Sequence, residues 1–212
     1  MQVALEKIVV KPGQQLLLQD ISWEDFEEIL EDLGEHRNSR ISYSSGVLEI
    51  MVPLPEHEKD KEIIGDMVKI LLEELELDFE PLGSTTFKNQ PMVQAIEADT
   101  CFYIKNYRAV IGKNRLDLSI DPPPDLAIEI DLTNRTKLDN YLLLKVPELW
   151  RYTRQGLQIN LLENNRYIES QKSPNFPDIP IIEIIETHTK QALAEGRSKA
   201  IRALRKWVRD NL

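Results

Sequence analysis

Apolar and polar positions alternate along this chain with a period that switches between two and about 3.6, and each switch marks a new element. The clearest period of two lies in Pro122 to Lys137, PPPDLAIEIDLTNRTK, where Leu126, Ile128, Ile130 and Leu132 alternate with Asp125, Ala127, Glu129 and Asp131. Pro122, Pro123 and Pro124 cannot donate to a ladder or continue a helix, so they mark the entry to a strand. The polar face of that strand carries three carboxylates at strand repeats of about 7 Å. Like charges so arranged repel, so the face is either an exposed acidic edge or the lining of a cation site.

Period 3.6 predicts the helices. Ser22 is placed to cap a helix with Phe26, Ile29, Leu30 and Leu33 on one face, ended by Gly34. Glu56 to Leu77 gives the longest helical pattern of the first half, with Ile64, Met67, Val68, Leu71 and Leu75 as its apolar stripe. Glu58 in its first turn favours the helix dipole, and His57 beside it reads as a surface or packing residue. Thr133 or Asn134 could cap a further helix carrying Leu138, Tyr141, Leu142 and Lys145, which Pro147 ends. Thr189 to Leu212 places Leu193, Ala200, Leu204, Trp207 and Val208 along one side of a basic helix.

Strand patterns fill the intervals. Arg40 to Val52 reads as a hairpin about Ser44-Ser45-Gly46, with Glu49 on its wet face. Phe79 to Phe87 is a candidate strand, and Met92 to Ile104 another, with Glu97 and Asp99 sharing a face. Glu148 to Arg154, Leu157 to Glu163 and Arg166 to Ser170 form a meander turning at Gln155-Gly156 and Asn164-Asn165. Ser173 to Asp178 is a loop, and Ile179 to Ile185 fits a strand or a helix entry equally.

Composition narrows the class. The 212 residues suit one α/β domain, residues 1–186 with its core at about 56–154, followed by the basic helix over 187–212. An apolar fraction of 42% and a charged fraction of 29% are those of a soluble globular chain, and no run reaches the ~18 apolar residues of a membrane span. Met1 to Val10 lacks a basic region followed by an apolar one, so no export and a cytoplasmic location are expected. A single cysteine, Cys101, excludes an internal disulfide, and with three histidines it excludes a Cys/His zinc site. The formal charge of -10 disfavours non-specific contact with a polyanion. That charge is uneven, however: the last segment carries Lys190, Arg197, Lys199, Arg202, Arg205, Lys206 and Arg209. This basic element could be a docking helix with a solvated face, a phosphate contact or the seam of a homodimer.

The order helix, strand, strand with Asp99, strand with Asp125 and Glu129, helix with Lys137, strand resembles the core of the PD-(D/E)xK nuclease superfamily. Within it, GVLEIMVPLPEHE, EADTCFYI, PDLAIEI, a Lys four residues before Tyr141, and VPELWRY resemble the bacterial putative restriction endonuclease family, also catalogued as a domain of unknown function. The resemblance spans roughly residues 20 to 165, and QALAEGRSKAIRALRKWV resembles the basic C-terminal helix of one branch. It implies a restriction-endonuclease-like mixed sheet flanked by helices, with an N-terminal helix plus hairpin and a C-terminal basic helix. Asp99 would stand as the first acid and Glu129 as the second. Asp131 stands where the superfamily usually has its Lys, which this family places on the following helix at the position of Lys137. Ala98 replaces the proline of the PD motif.

Phosphodiester hydrolysis needs an in-line water, a divalent cation and a positive group near the scissile phosphate. On this model Asp99 and Glu129 bind Mg²⁺ or Mn²⁺, Asp131 is an additional or water-mediated ligand, and Lys137 holds the water or the phosphate. Asp125 is expected to anchor loop backbone near the prolines instead. The resulting expectation is a metal-dependent endonuclease acting on DNA. The alternative is an inactive nuclease scaffold that binds nucleic acid or a protein partner.

Overall fold

The computed structural model describes residues 8–34, 39–89, 94–113, 116–132 and 138–212. Its first half comprises β1 (Gln15–Leu18), α1 (Trp23–Leu33), β2 (Arg40–Ser44), β3 (Val47–Met51), α2 (Pro55–Glu74), β4 (Glu80–Leu82), β5 (Thr85–Asn89), β6 (Gln94–Ala98) and β7 (Thr100–Tyr103). The second half comprises β8 (Leu126–Asp131), α3 (Leu138–Leu144), β9 (Glu148–Thr153), β10 (Gly156–Glu163), β11 (Arg166–Ser170), α4 (Ile181–Glu195) and α5 (Arg197–Asn211). The strands form two sheets, one ordered β1-β3-β2-β6-β5 and the other β11-β10-β9-β8-β7-β4. The chain is thus α/β, as expected, but the N-terminal hairpin is the middle of a five-stranded sheet rather than an appendage.

The smaller sheet is covered by α1. Ser22 Oγ accepts a hydrogen bond from Asp25 N at 3.0 Å while Asp25 accepts one from Ser22 N at 3.2 Å, closing a capping box. Phe26 then stacks on Tyr43 with ring centroids 4.7 Å apart, and Trp23 meets Tyr43 edge-on. Leu48, Ile41, Ile50 and Ala95 complete this core.

The larger sheet is mixed. β8 and β9 run parallel, with Ala127 opposite Leu149, and their connection carries α3; β7 and β8 are antiparallel. Leu126, Ile128 and Ile130 face a core shared with α2, α4 and α5, in which Trp150, Met67 and Ile159 are fully enclosed. Ala127 faces the other way, onto Tyr141 and Leu144 of α3 and onto Cys101 and Tyr103. The strand's period of two therefore separates an apolar face from the face that bears Glu129 and Asp131.

Three elements differ from the sequence reading, and one that it left open is decided. Phe79 to Phe87 is two strands in different sheets, β4 and β5, parted at Gly83 and Ser84. Met92 to Ile104 is likewise two strands: the chain leaves the smaller sheet after Ala98 and enters the larger at Thr100, with Asp99 at the break. Ile179 to Ile185 resolves as a helix entry, since α4 starts at Ile181 after Pro180. The basic helix expected from Thr189 to Leu212 is broken at Gly196, whose φ of 94° and ψ of 144° belong to glycine almost alone.

That break folds α5 back onto α2. Ala200, Leu204 and Val208 are buried, and the arginines pair with acids of α2: Arg205 Nη1 lies 2.8 Å from Glu74 Oε1, Arg205 Nη2 2.9 Å from Glu73 Oε2, and Arg209 Nε 2.7 Å from Glu74 Oε2. Arg197 pairs with Asp66 in the same way. Much of the basic charge noted in the tail therefore binds this helix to its own acidic neighbour. Among the described residues no helix is long and apolar enough to cross a membrane.

Candidate active site

The break at Asp99 is where the two sheets meet, and it brings carboxylates from both to one cleft. The Asp99 carboxylate is buried, and Oδ2 accepts hydrogen bonds from Ile130 N at 2.8 Å and from His57 Nε2 at 3.0 Å. The first contact ties Asp99 to the residue next to Glu129. Oδ1 faces Arg40, whose Nε is 3.5 Å away.

Glu129 projects from β8 toward α3, where the Tyr141 hydroxyl donates to Oε1. Burial pushes the Glu129 carboxyl well above its ordinary range; the neighbouring Asp99 and Asp131 push it further, while the Tyr141 hydroxyl and Arg40 oppose them. Burial and the adjacent Glu129 also raise the Tyr141 hydroxyl, so it stays protonated and remains a donor. Asp131 is gripped by Arg151 of β9, with Nε and Nη2 at 2.7 and 2.6 Å from Oδ2.

Arg40, at the start of β2, spans three carboxylates. Nη2 lies 3.1 Å from Glu58 Oε1, Nη1 3.5 Å from Glu97 Oε1, and Nε 3.5 Å from Asp99 Oδ1. His57 in the first turn of α2 is buried. Burial works against its charge, but the hydrogen bond to Asp99 and the nearby Glu58 outweigh it and raise its pKa to about 9. Glu58 is lowered by His57, Lys61 and Arg40 against the opposing effect of burial. Its carboxylate therefore serves this cluster as well as the helix terminus.

Arg40, His57, Glu97, Asp99, Glu129 and Asp131 line a cleft of about 110 Å³, together with Ser42, Glu49 and Asn140. Asn140 Nδ2 donates to Ser42 Oγ at 3.1 Å, linking α3 to β2. Glu49, expected to be merely solvated, thus faces the cleft. A second recess of about 160 Å³, which shares Asp99, is lined by Lys61, Lys69, Gly65 and Thr100.

Of the residues singled out from sequence, Asp99, Glu129 and Asp131 line the one cleft. Lys137 lies outside the described residues. Asp125 does anchor backbone, but in the turn after β7 rather than near the prolines: Oδ2 accepts from Ile104 N at 2.7 Å and Asn106 N at 3.0 Å. Arg40 was not singled out, and His57, read as a surface or packing residue, lies buried against Asp99 instead. Arg40 meets Glu97, 57 residues away, so no local motif could announce it.

The donors suit a hard cation, because carboxylate oxygens from neighbouring strands are what Mg²⁺ or Mn²⁺ take. Among the described residues no three His, Cys, Asp or Glu side chains are already drawn to one point. They are spread round the Arg40 guanidinium, a positive group held where anions crowd.

The family model Uma2, with the description putative restriction endonuclease, matches residues 23–191. The chain is also similar in fold to a crystal structure of a putative nuclease belonging to DUF820 from Anabaena variabilis. The TM-score is 0.52 at 12% identity, covering 74% of this chain and 91% of that one. No curated protein matches.

Proposed function

The chain belongs to the putative restriction endonuclease family, and from that premise we propose that it is a metal-dependent endonuclease that hydrolyses DNA phosphodiesters at the cleft between its sheets. The observation that carries this reading is the 2.8 Å hydrogen bond from Ile130 N to Asp99 Oδ2, which fastens one carboxylate beside the residue that bears the other. Asp99 and Glu129 would hold Mg²⁺ or Mn²⁺, with Asp131 as an additional or water-mediated ligand. An ion held there would supply a lowered pKa for a bound water and neutralise charge developing on the phosphate.

The remaining roles fall to the chain's own groups. Tyr141 favours the ionised form of Glu129, and His57 occupies Asp99 Oδ2 and so fixes the carboxylate's orientation. Lys137 is assigned to the attacking water or the scissile phosphate. Lys61 and Lys69, which line the second recess and pair with Glu58 and Asp66, would meet the neighbouring backbone phosphates. Two copies paired through their C-terminal helices would reach opposite strands of a duplex, and solution mass tests that pairing.

The deciding experiment is cleavage of supercoiled, linear and single-stranded DNA with Mg²⁺ or Mn²⁺ by the wild type and by Glu129→Ala, purified identically. Cleavage by the wild type alone is expected. Equal activity in both preparations overturns the site assignment. Inactivity of both, with DNA still retained in a mobility shift, favours the alternative of a nuclease scaffold that only binds.

A further inference from the structure

We propose that Arg40 is a built-in competitor of the divalent ion: its guanidinium takes the place beside Asp99 that the ion needs, and leaves it when the ion binds. The inference rests on the metal-dependent reading above and deepens it. Asp99 has one oxygen to offer a new ligand. Oδ2 already accepts from Ile130 N and His57 Nε2, at 2.8 and 3.0 Å, whereas Oδ1 faces Arg40 Nε at 3.5 Å. An ion that reaches Asp99 therefore displaces Arg40 from Oδ1.

The contacts of Arg40 are those of an exchangeable group. Charge-assisted N–H···O bonds settle at about 2.7–2.9 Å. Arg151 meets that standard on Asp131, at 2.7 and 2.6 Å. Arg40 does not: its contacts to Glu97 and Asp99 are both 3.5 Å, and only Glu58, at 3.1 Å, approaches a firm bond. Two arginines thus sit in one acidic region, one gripped and one loosely held. The burial of Arg40, 11% exposed, still demands a counter-charge, so Arg40 is retained until another cation replaces it. Glu58 is 40% exposed at the outer end of the cluster and remains as the tether toward which the displaced guanidinium moves.

The test is Mn²⁺ binding, by calorimetry and by protection against thermal unfolding, for the wild type, Arg40→Met, Arg40→Lys and Glu129→Gln. Arg40→Met is expected to bind Mn²⁺ about tenfold more tightly than wild type, as removal of one nearby positive charge predicts. Arg40→Lys is expected to stay close to wild type, and Glu129→Gln to bind poorly. Equal affinity in wild type and Arg40→Met, with loss in Glu129→Gln, overturns the role of Arg40 and leaves the metal site standing. No Mn²⁺ binding in any form overturns both. Because Arg40→Met exposes neighbouring acids to one another and could fold poorly, a second measurement uses the unaltered chain. In a Mg²⁺ titration of arginine-labelled protein, the Arg40 side-chain N–H signal should shift and exchange faster with solvent while that of Arg205, paired with Glu73 and Glu74 of α2, stays fixed. An unmoved Arg40 signal at saturating Mg²⁺ overturns the proposal.

Discussion

Single side chains set the electrostatics of the cleft, and two of them give direct predictions. Tyr141 holds down a carboxyl that burial and Asp99 push up. Tyr141→Phe should therefore raise the Glu129 pKa further, and the acidic limb of a metal-dependent cleavage profile should move upward by about one pH unit, the order of one hydrogen bond to a charged group. A limb that stays put would remove Glu129 from the titrating step. Arg151 and Asp131 form a nearly dry pair, with side chains 7% and 6% exposed. Arg151→Met removes the ion pair that holds the buried Asp131 side chain and should cost about 3 kcal/mol in urea unfolding, whereas Arg151→Met with Asp131→Leu should recover most of it. What the sequence disclosed at this scale was the carboxylates, because β8 alternates so cleanly that Glu129 and Asp131 stand out against Ile128 and Ile130. Their partners were hidden. Arg40, His57 and Arg151 reach them across sheets and helices, and no spacing along the chain encodes such a meeting.

Among the elements, α5 is tied to α2 by charge as well as by Leu204 and Val208. Glu74 is held at about 2, from an ordinary 4.5, by Arg209 and Arg205. A depressed carboxylate contributes fully above pH 4.5 and loses its contribution as pH falls toward 2. Hydrogen exchange should show α5 losing protection before β8 and β9 as acid is added, and molar salt should imitate part of the effect. Gly196 makes the docking feasible. Gly196→Ala meets no neighbouring atom within 4 Å, so its cost should be conformational alone, about 1–3 kcal/mol, and should appear as faster exchange in α5. Helices α1 and α2 and the meander were readable from sequence because their signals are local: the Ser22 and Asp25 capping box, and Asn164 and Asn165, whose φ values of 46° and 59° make the two-residue turn. The break at Asp99 was not, because Ile96, Ala98, Thr100 and Phe102 keep the same alternation on both sides of it. Periodicity reports which face is buried, not which sheet buries it.

For the whole molecule, the three tryptophans serve as separate reporters. Trp23 lies in the core of the smaller sheet, Trp150 in that of the larger, and Trp207 packs at the edge of the latter from α5. Variants retaining one tryptophan each should unfold at a common denaturant midpoint if the two sheets form one cooperative unit, as the continuous run through β6 and β7 implies. An earlier midpoint for Trp23 would make the smaller sheet a separate unit. The seam at Asp99 also bears on synthesis. A ribosome that has released Tyr103 has made Arg40, His57 and Asp99, but Glu129, Asp131 and Tyr141 still lie in residues to come. No nascent fragment that ends before Glu129 holds both halves of the site, so the cleft takes shape only after β8 has been made and has paired with β7.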